Sequence, residues 1–256
     1  MKKRFFITTV AAFLVLAATI NITAKQEQFT WFIKRNGKKS PGFSEKAMLV
    51  DEYEGYYIDK AAAKNGEKVI YLTFDAGYEN GNIARILDVL KEENVPAAFF
   101  ILDNLILKNT DLVNRMADEG HLVCNHTKNH INLSDCTNDE ITKNLTDLEK
   151  LYEEKTGKSL DKYFRFPEGR YSESALKAVC DMGYKTVFWS FAYDDWDNSR
   201  QPNPEKAKQK ILSNTHNGAV ILLHPTSETN ASILSSLISS WRQMGYRFGT
   251  LENLTK

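Results

Sequence analysis

Apolar residues along this chain fall into two kinds of run that alternate. The first kind is short and nearly continuous: 69–74, 97–102, 121–125, 163–166, 185–191, 218–223 and 246–251. Runs of that length, rich in β-branched and aromatic residues, predict buried strands. The second kind is periodic. Ile83, Ile86, Leu87 and Leu90 recur at i, i+3, i+4 and i+7, one face of a helix. Leu112, Val113 and Met116 mark a helix that stops at Gly120. Ile141, Leu145, Leu148 and Tyr152 predict the longest helix, with Gly157 just past its end. Ser172 opens another through Ala175, Leu176 and Val179, closed by Gly183. Residues 204–212 read as helical, and Ile233, Leu234, Leu237 and Trp241 form a last helix stopped at Gly245. Seven apolar strands separated by helices predict an α/β fold with a parallel sheet buried on both faces. An open doubly wound sheet and a closed barrel both satisfy this pattern.

The N-terminus breaks the alternation. Met1-Lys2-Lys3-Arg4, the apolar run 5–20 and the Ala24–Lys25 junction read as a secretory signal. The run is somewhat short of the roughly 20 residues that span a bilayer. Ile22 sits three residues before the junction, where a small residue is usual, so an uncleaved anchor is the alternative. Either way the globular part is expected outside the cytoplasm. Residues 25–66 are polar and Lys-rich, with Trp31, Phe32, Tyr53, Tyr56 and Tyr57 scattered without period. They read as an arm that packs its aromatics on a domain at 67–256, and the whole is expected to be a monomer. The formal net charge is zero, which leaves no basic excess to neutralise phosphates and argues against a nucleic-acid partner. Cys124, Cys136 and Cys180 have no CxxC spacing, so neither a zinc knuckle nor a redox pair is indicated. Cys124 and Cys180 are expected as buried fillers on a strand and a helix.

The chemically distinctive residues respect strand direction. Asp75 follows the first strand, His126 and His130 the third, and Asp195 and Trp196 the fifth; Arg165 lies in the fourth and His224 ends the sixth. In a parallel barrel those carboxyl ends share one face, and sites are built there. This favours a distorted parallel (β/α) barrel of about seven strands. Each residue also has a plainer reading. Asp75 could cap the following helix, His224 could be a satisfied core histidine, and Asp195 could be a turn residue. His126 and His130 could be two exposed loop histidines. On a helical turn their i, i+4 spacing would instead face both imidazoles one way and suit a divalent metal, most simply zinc. Arg165, flanked by Phe164 and Phe166, would need a carboxylate partner if it pointed inward.

Thr73-Phe74-Asp75-Ala76-Gly77, His126-Thr127-Lys128-Asn129-His130, Arg165-Phe166-Pro167-Glu168-Gly169, Asp195-Trp196 and Leu222-Leu223-His224 together resemble the five ordered motifs of the polysaccharide deacetylases. That family is carbohydrate esterase family four, the NodB homology domain. Phe74 to Gly81, Trp31-Phe32, Tyr56-Tyr57 and His224-Pro225-Thr226-Ser227 look narrower still, like the delta-lactam-biosynthetic de-N-acetylases that act on N-acetylmuramic acid in spore cortex peptidoglycan. The resemblance implies Asp75 as general base, oriented by Arg165, and His224 as general acid, oriented by Asp195. It implies His126 and His130 as metal ligands and a backbone N–H at Glu168 facing the oxyanion, with Tyr78 and Trp196 on the substrate side. It implies a glycan strand of peptidoglycan as partner. One position departs: Ala76 stands where the family usually has an Asp that is the third metal ligand. The expectation is a weakly held divalent ion, with Glu79, Asn80 or Asn125 as the nearby groups that could reach it. The same chemistry on another polymer, such as N-acetylglucosamine in peptidoglycan or chitin, is the alternative, and Ala76 alone suggests a non-catalytic glycan-binding module.

Overall fold

The computed structural model describes residues 27–256; the signal-or-anchor segment at 1–24 lies outside them. The main sheet has eight strands: β1 (Gly55–Tyr56), β2 (Val69–Ala76), β3 (Ala97–Ile101), β4 (Leu122–Asn125), β5 (Asp161–Phe164), β6 (Lys185–Val187), β7 (Ala219–Leu223) and β8 (Arg247–Phe248). Their order is β7-β2-β3-β4-β5-β6-β1, with β8 also on β2, and every pairing is parallel. The sheet curls into a distorted barrel. Helices α1 (Asn82–Glu92), α2 (Asn138–Thr156), α3 (Glu173–Asp181), α4 (Pro204–Asn214) and α5 (Glu228–Gln243) cover its outside. Among the described residues no helix is long and apolar enough to cross a membrane.

Local chemistry sets the ends of these elements. Thr137 and Glu140 form a reciprocal capping box at the start of α2, and Gly157 ends it in the left-handed conformation. Ser172, Asn203 and Ser227 each accept a backbone N–H at the starts of α3, α4 and α5.

Successive strand side chains face opposite sides, and this alternation positions the site. On β2, Ile70, Leu72, Phe74 and Ala76 join the large core under the helices, whereas Val69 and Tyr71 join the barrel interior. Ala98 and Phe100 of β3, Cys124 of β4, Tyr163 of β5, Val187 of β6 and Val220 of β7 fill that interior. Ala62, Leu251 and Leu254 pack into the same cluster. Stepping by two toward the carboxyl ends, the interior rows continue to Thr73 and Asp75, His126, Arg165, Trp189 and His224. The reactive layer is therefore the upper end of the rows that fill the barrel below.

Three expectations change. The strand expected at 185–191 is regular only to Val187. Beyond it, Phe188 N–H donates to Tyr56 O at 2.7 Å, and Ser190 and Phe191 N–H both reach Val220 O, at 2.9 and 3.1 Å. Leu222 N–H returns to Phe191 O at 2.9 Å. The Ser190 hydroxyl accepts Val220 N–H at 3.0 Å and meets His216 Nε2 at 2.9 Å, so side-chain bonds replace ladder bonds. This stretch is the seam that brings β6 to β7. The strand expected at 246–251 covers only Arg247–Phe248, because Thr250 and Asn253 cap a short helix, Leu251–Leu254. Cys180 is half-buried on α3 rather than buried; Cys124 is buried, and all three thiols are free.

Residues before β2 are woven into the barrel. Phe29–Thr30 pairs antiparallel with Arg170–Tyr171, and β1 extends the sheet beside β6. The Trp31 ring stacks on Phe188 at 4.7 Å, and its Nε1–H donates to Trp189 O at 2.9 Å. β1 was not anticipated: two residues carry no period. At Gly55 a Cβ would lie 2.2 Å from the Val50 side chain, so the close approach requires glycine.

Candidate active site

Asp75 emerges from β2 on the interior face, and Arg165 lies one residue past β5. Arg165 is fully buried and donates from Nη1 to Asp75 Oδ1 at 2.8 Å. Its Nε–H donates to Val187 O at 2.8 Å, and Nη2 donates to Thr73 Oγ1 at 2.9 Å. Thr73 in turn donates to Ile221 O at 2.8 Å. The guanidinium also sits 4.1 Å from the centre of the Phe100 ring, a cation–π contact. Burial pushes the Asp75 carboxyl up. Arg165, with His126 and His224 near it, outweighs that and holds it below the usual carboxylate range. Asp75 does not cap α1. Glu79 does, accepting Gly81 N–H and, at 3.0 Å, Ile83 N–H.

His126 and His130 do meet, but not on a helical turn. Residues 126–130 form a loop in which Thr127 and His130 have positive φ, 69° and 60°. Two side chains and one backbone N–H hold it. Asn125 Oδ1 accepts Thr127 N–H at 2.9 Å, Asn144 Oδ1 accepts Lys128 N–H at 2.8 Å, and Lys128 O accepts Asp103 N–H at 2.9 Å. The two imidazoles lie 5.1 Å apart, edge to face. His126 is buried and His130 exposed. His126 Nδ1–H donates to Arg165 O at 2.8 Å, which fixes the tautomer and leaves Nε2 as an acceptor. Desolvation lowers this imidazole to about 4, so it is neutral over the physiological range.

His224 ends the β7 row and is paired with Asp195. Its Nδ1–H donates to Asp195 Oδ1 at 2.8 Å, and its backbone N–H donates to Oδ2 at 2.9 Å. Asn230, in the first turn of α5, adds a third donor to the carboxylate, reaching Oδ2 at 2.6 Å. Burial works against charge on His224, but the Asp195 carboxylate outweighs it and raises the imidazole above its ordinary value. Neither the core-histidine reading nor the turn reading of Asp195 describes this dyad.

Asp75, His126, His130 and His224 line one cavity of about 720 Å³ that also takes in Tyr78, Glu168 and Trp196, with Arg165 and Asp195 buried behind it. Trp196 is 60% exposed and Tyr78 46%, so both present aromatic faces at the rim. The Tyr78 hydroxyl accepts from Asn198 Nδ2. The Glu168 carboxylate pairs with Arg170 at 3.0 Å, and its backbone has φ at 54° within the Pro167–Gly169 turn. Sequence reasoning missed Thr73, Asn230 and Trp189. Thr73 had a usable signal, a polar side chain on the same strand parity as Asp75. Asn230 had none, since an Asn in a first helical turn is usually a cap.

The donor set can be tested against a metal. His126 Nε2 and Asp75 Oδ2 face each other across 3.5 Å with lone pairs on both, an arrangement that calls for a proton, a water or a cation between them. The His130 ring, 5.1 Å from that of His126, is the second imidazole beside this pair. Among the described residues no group of three or more His, Cys, Asp or Glu is arranged to hold a metal. Ala76 is fully buried in the helix-side core. Glu79 is committed to α1. Asn80 donates to Thr226 O at 2.8 Å, and Asn125 to Leu145 O and Tyr184 Oη at 3.2 and 2.9 Å. None of these three completes the set.

Comparison with known proteins agrees with this geometry. Residues 62–187 match the family model for polysaccharide deacetylase. The chain is 36% identical over 230 residues to the peptidoglycan-N-acetylmuramic acid deacetylase PdaA of Bacillus subtilis, covering 89% of this chain and 86% of that protein. The solved structure of PdaA, a family 4 carbohydrate esterase, superposes with a TM-score of 0.84 over 89% of this chain and 97% of that one. A family 4 carbohydrate esterase from Bacillus anthracis superposes at 0.73 with 35% identity, over 89% and 96%. A peptidoglycan-N-acetylglucosamine deacetylase of Bacillus cereus is 31% identical over 198 residues, 75% of this chain and 90% of that protein. The chain belongs to the polysaccharide deacetylases, the family 4 carbohydrate esterases with a NodB-like barrel.

Proposed function

We propose that this protein removes the acetyl group from N-acetylmuramic acid in peptidoglycan, outside the cytoplasm, as a step toward muramic delta-lactam in spore cortex. The observation that carries the reading is the pairing, in one cavity, of an ionised Asp75 locked to Arg165 and a protonatable His224 locked to Asp195. Amide hydrolysis needs both: a base for water and an acid for a poor leaving group. Asp75 Oδ2 takes a proton as the water oxygen bonds to the acetyl carbonyl carbon. The oxyanion that forms lies toward the Glu168 backbone N–H. His224 gives its Nε2 proton to the departing nitrogen, the C–N bond breaks, and acetate and a free sugar amine leave. Asp195 keeps His224 cationic until that moment. His126 and His130 would hold the divalent ion, which when bound polarises the carbonyl and the water. The freed amine and the lactyl carboxyl on the same sugar are the two partners of the lactam ring. The intact dyads speak against a purely binding module. Residues 1–24 would direct or anchor the chain, and residues 25–66 and 67–256 would act as one monomeric unit.

The test is acetate release from purified peptidoglycan, with and without chelator, and mass spectrometry of the muropeptides. Loss of acetyl from muramic acid that chelator abolishes is the expected result. Turnover that survives chelator would remove the metal role of His126 and His130. Wild-type turnover retained by His224→Ala would sink the mechanism.

A further inference from the structure

We propose that Arg35 is a specificity-determining residue that reads the lactyl carboxylate carried on O3 of the muramic sugar; this rests on the reaction proposed above. Arg35 belongs to the strand Ile33–Asn36, which pairs antiparallel with Lys39–Phe43 in the N-terminal segment. Among the described residues lining the cavity it is the one Arg or Lys. Arg35 is exposed, but its head group is tied to the cavity wall. Nη2 donates to Ala192 O at 2.7 Å, and the guanidinium lies 5.8 Å from the Phe191 ring centre. Ala192 is itself part of the cavity wall, three residues before Asp195. A guanidinium has five N–H donors in a fixed fork, so one bond to a carbonyl leaves a forked face for a carboxylate.

The acids of the cavity do not attract an anion, and the cationic His224 is placed at the departing nitrogen on the proposed mechanism. Asp75 is bound to Arg165, Glu168 to Arg170, and Asp194 is an exposed acid. His126 Nδ1 is engaged by Arg165 O, and His224 Nδ1 by Asp195. An anionic substituent entering here is repelled by Asp194 and drawn to Arg35. The sugar chemistry supplies one such group. Muramic acid differs from glucosamine by a carboxylate on O3, the carbon next to the one bearing the N-acetyl group. A cavity of this volume is on the order of 10 Å across, so the two vicinal substituents must share it. The match to the polysaccharide deacetylase model begins at residue 62, so Arg35 lies outside the shared domain. The match to the N-acetylglucosamine deacetylase covers 75% of this chain, against 89% for the N-acetylmuramic acid deacetylase.

The experiment uses the full-length protein and its Arg35→Ala and Arg35→Lys variants. Three probes are compared: an N-acetylglucosamine–N-acetylmuramic acid oligomer, the same oligomer with the lactyl carboxyl methyl-esterified, and a chitooligosaccharide. The wild type is expected to show a KM about tenfold lower for the free acid than for the ester, the size of a partly exposed charge-assisted contact. Arg35→Ala should erase that difference, with kcat on the acid within about twofold, and Arg35→Lys should restore part of it. A wild type that treats acid and ester alike overturns the proposal. So does an Arg35→Ala variant whose KM rises equally on both, which would mark Arg35 as a prop for Ala192. Wild-type acetate release from the chitooligosaccharide alone would instead overturn the muramic reading itself, and this proposal with it.

Discussion

On the proposed mechanism, with His224 as acid and Asp75 as base, the two dyads set the pH behaviour of the site. The acid must carry a proton, so turnover holds below the raised His224 pKa and falls as pH rises through it. Asp75 must be ionised, so the acid limb lies below the usual carboxylate range. Replacing Asp195 with Asn removes the carboxylate and leaves burial, which lowers the pKa of His224. The alkaline limb of the acetate-release profile should then move to lower pH, with kcat at neutral pH down on the order of 10²-fold. An unmoved limb would mean that Asp195 only positions the ring. The residue scale also shows where sequence reading stopped. Asp75, His126, Arg165, Asp195 and His224 stood out because charged groups are rare at the ends of apolar runs. The partners that aim them, Thr73 and Asn230, are ordinary polar residues whose roles exist only once strands β2 and β7 and helix α5 are brought together.

At the scale of elements, the proposed mechanism puts the oxyanion beside the Pro167–Gly169 turn. Gly169 has φ at 66°, and a Cβ there would lie 2.9 Å from the Trp189 ring and 3.0 Å from Trp31 Cβ. Its carbonyl accepts Trp31 N–H at 2.8 Å, so the turn is clamped between the barrel and the N-terminal segment. Gly169→Ala should cost about 1–3 kcal/mol by strain and overpacking, read as a lower urea midpoint. At a temperature where the variant is still folded, kcat should fall more than tenfold, because Glu168 N–H moves with the turn. Unchanged kcat in the folded variant would take Glu168 out of the site. The helices and the long strands were legible from period and punctuation. The 126–130 loop was not: i, i+4 spacing suits a helix, but Asn125, Asn144 and Asp103 offer the backbone bonds that a helix would otherwise make.

For the whole molecule, histidine titration sets the pH of greatest stability. His121 is buried with both ring nitrogens unpartnered, and desolvation lowers it to about 4; His126 is lowered to about 4 as well. Unfolded histidines titrate near 6.5. Between about 4 and 6.5 the unfolded chain therefore binds more protons, and stability rises with pH. His224 has the opposite sign: its stabilisation is complete below 6.5 and is lost as pH rises through its raised value. The urea midpoint should peak near pH 6.5. His121 meets Phe99 edge-on at 5.5 Å, so His121→Leu keeps an apolar contact and removes two unpaired polar atoms. It should stabilise by about 1 kcal/mol and flatten the acid side of the curve. A destabilised variant with the slope intact would show that His121 has a partner.

The seam at 188–191 gives the two dyads unequal mechanical backing. Asp75 and Arg165 rise from strands inside the continuous ladder, whereas Asp195 follows four residues that close the barrel by isolated bonds. Warming should fray this join before the rest of the sheet, detaching the proton donor's partner while the base Asp75 stays locked to Arg165. The enzyme would then pass through an esterase-like state. Aryl acetates, whose leaving group needs no proton, should still be cleaved at temperatures where N-acetyl sugars no longer are; parallel loss of both activities would mean that the barrel opens as one piece.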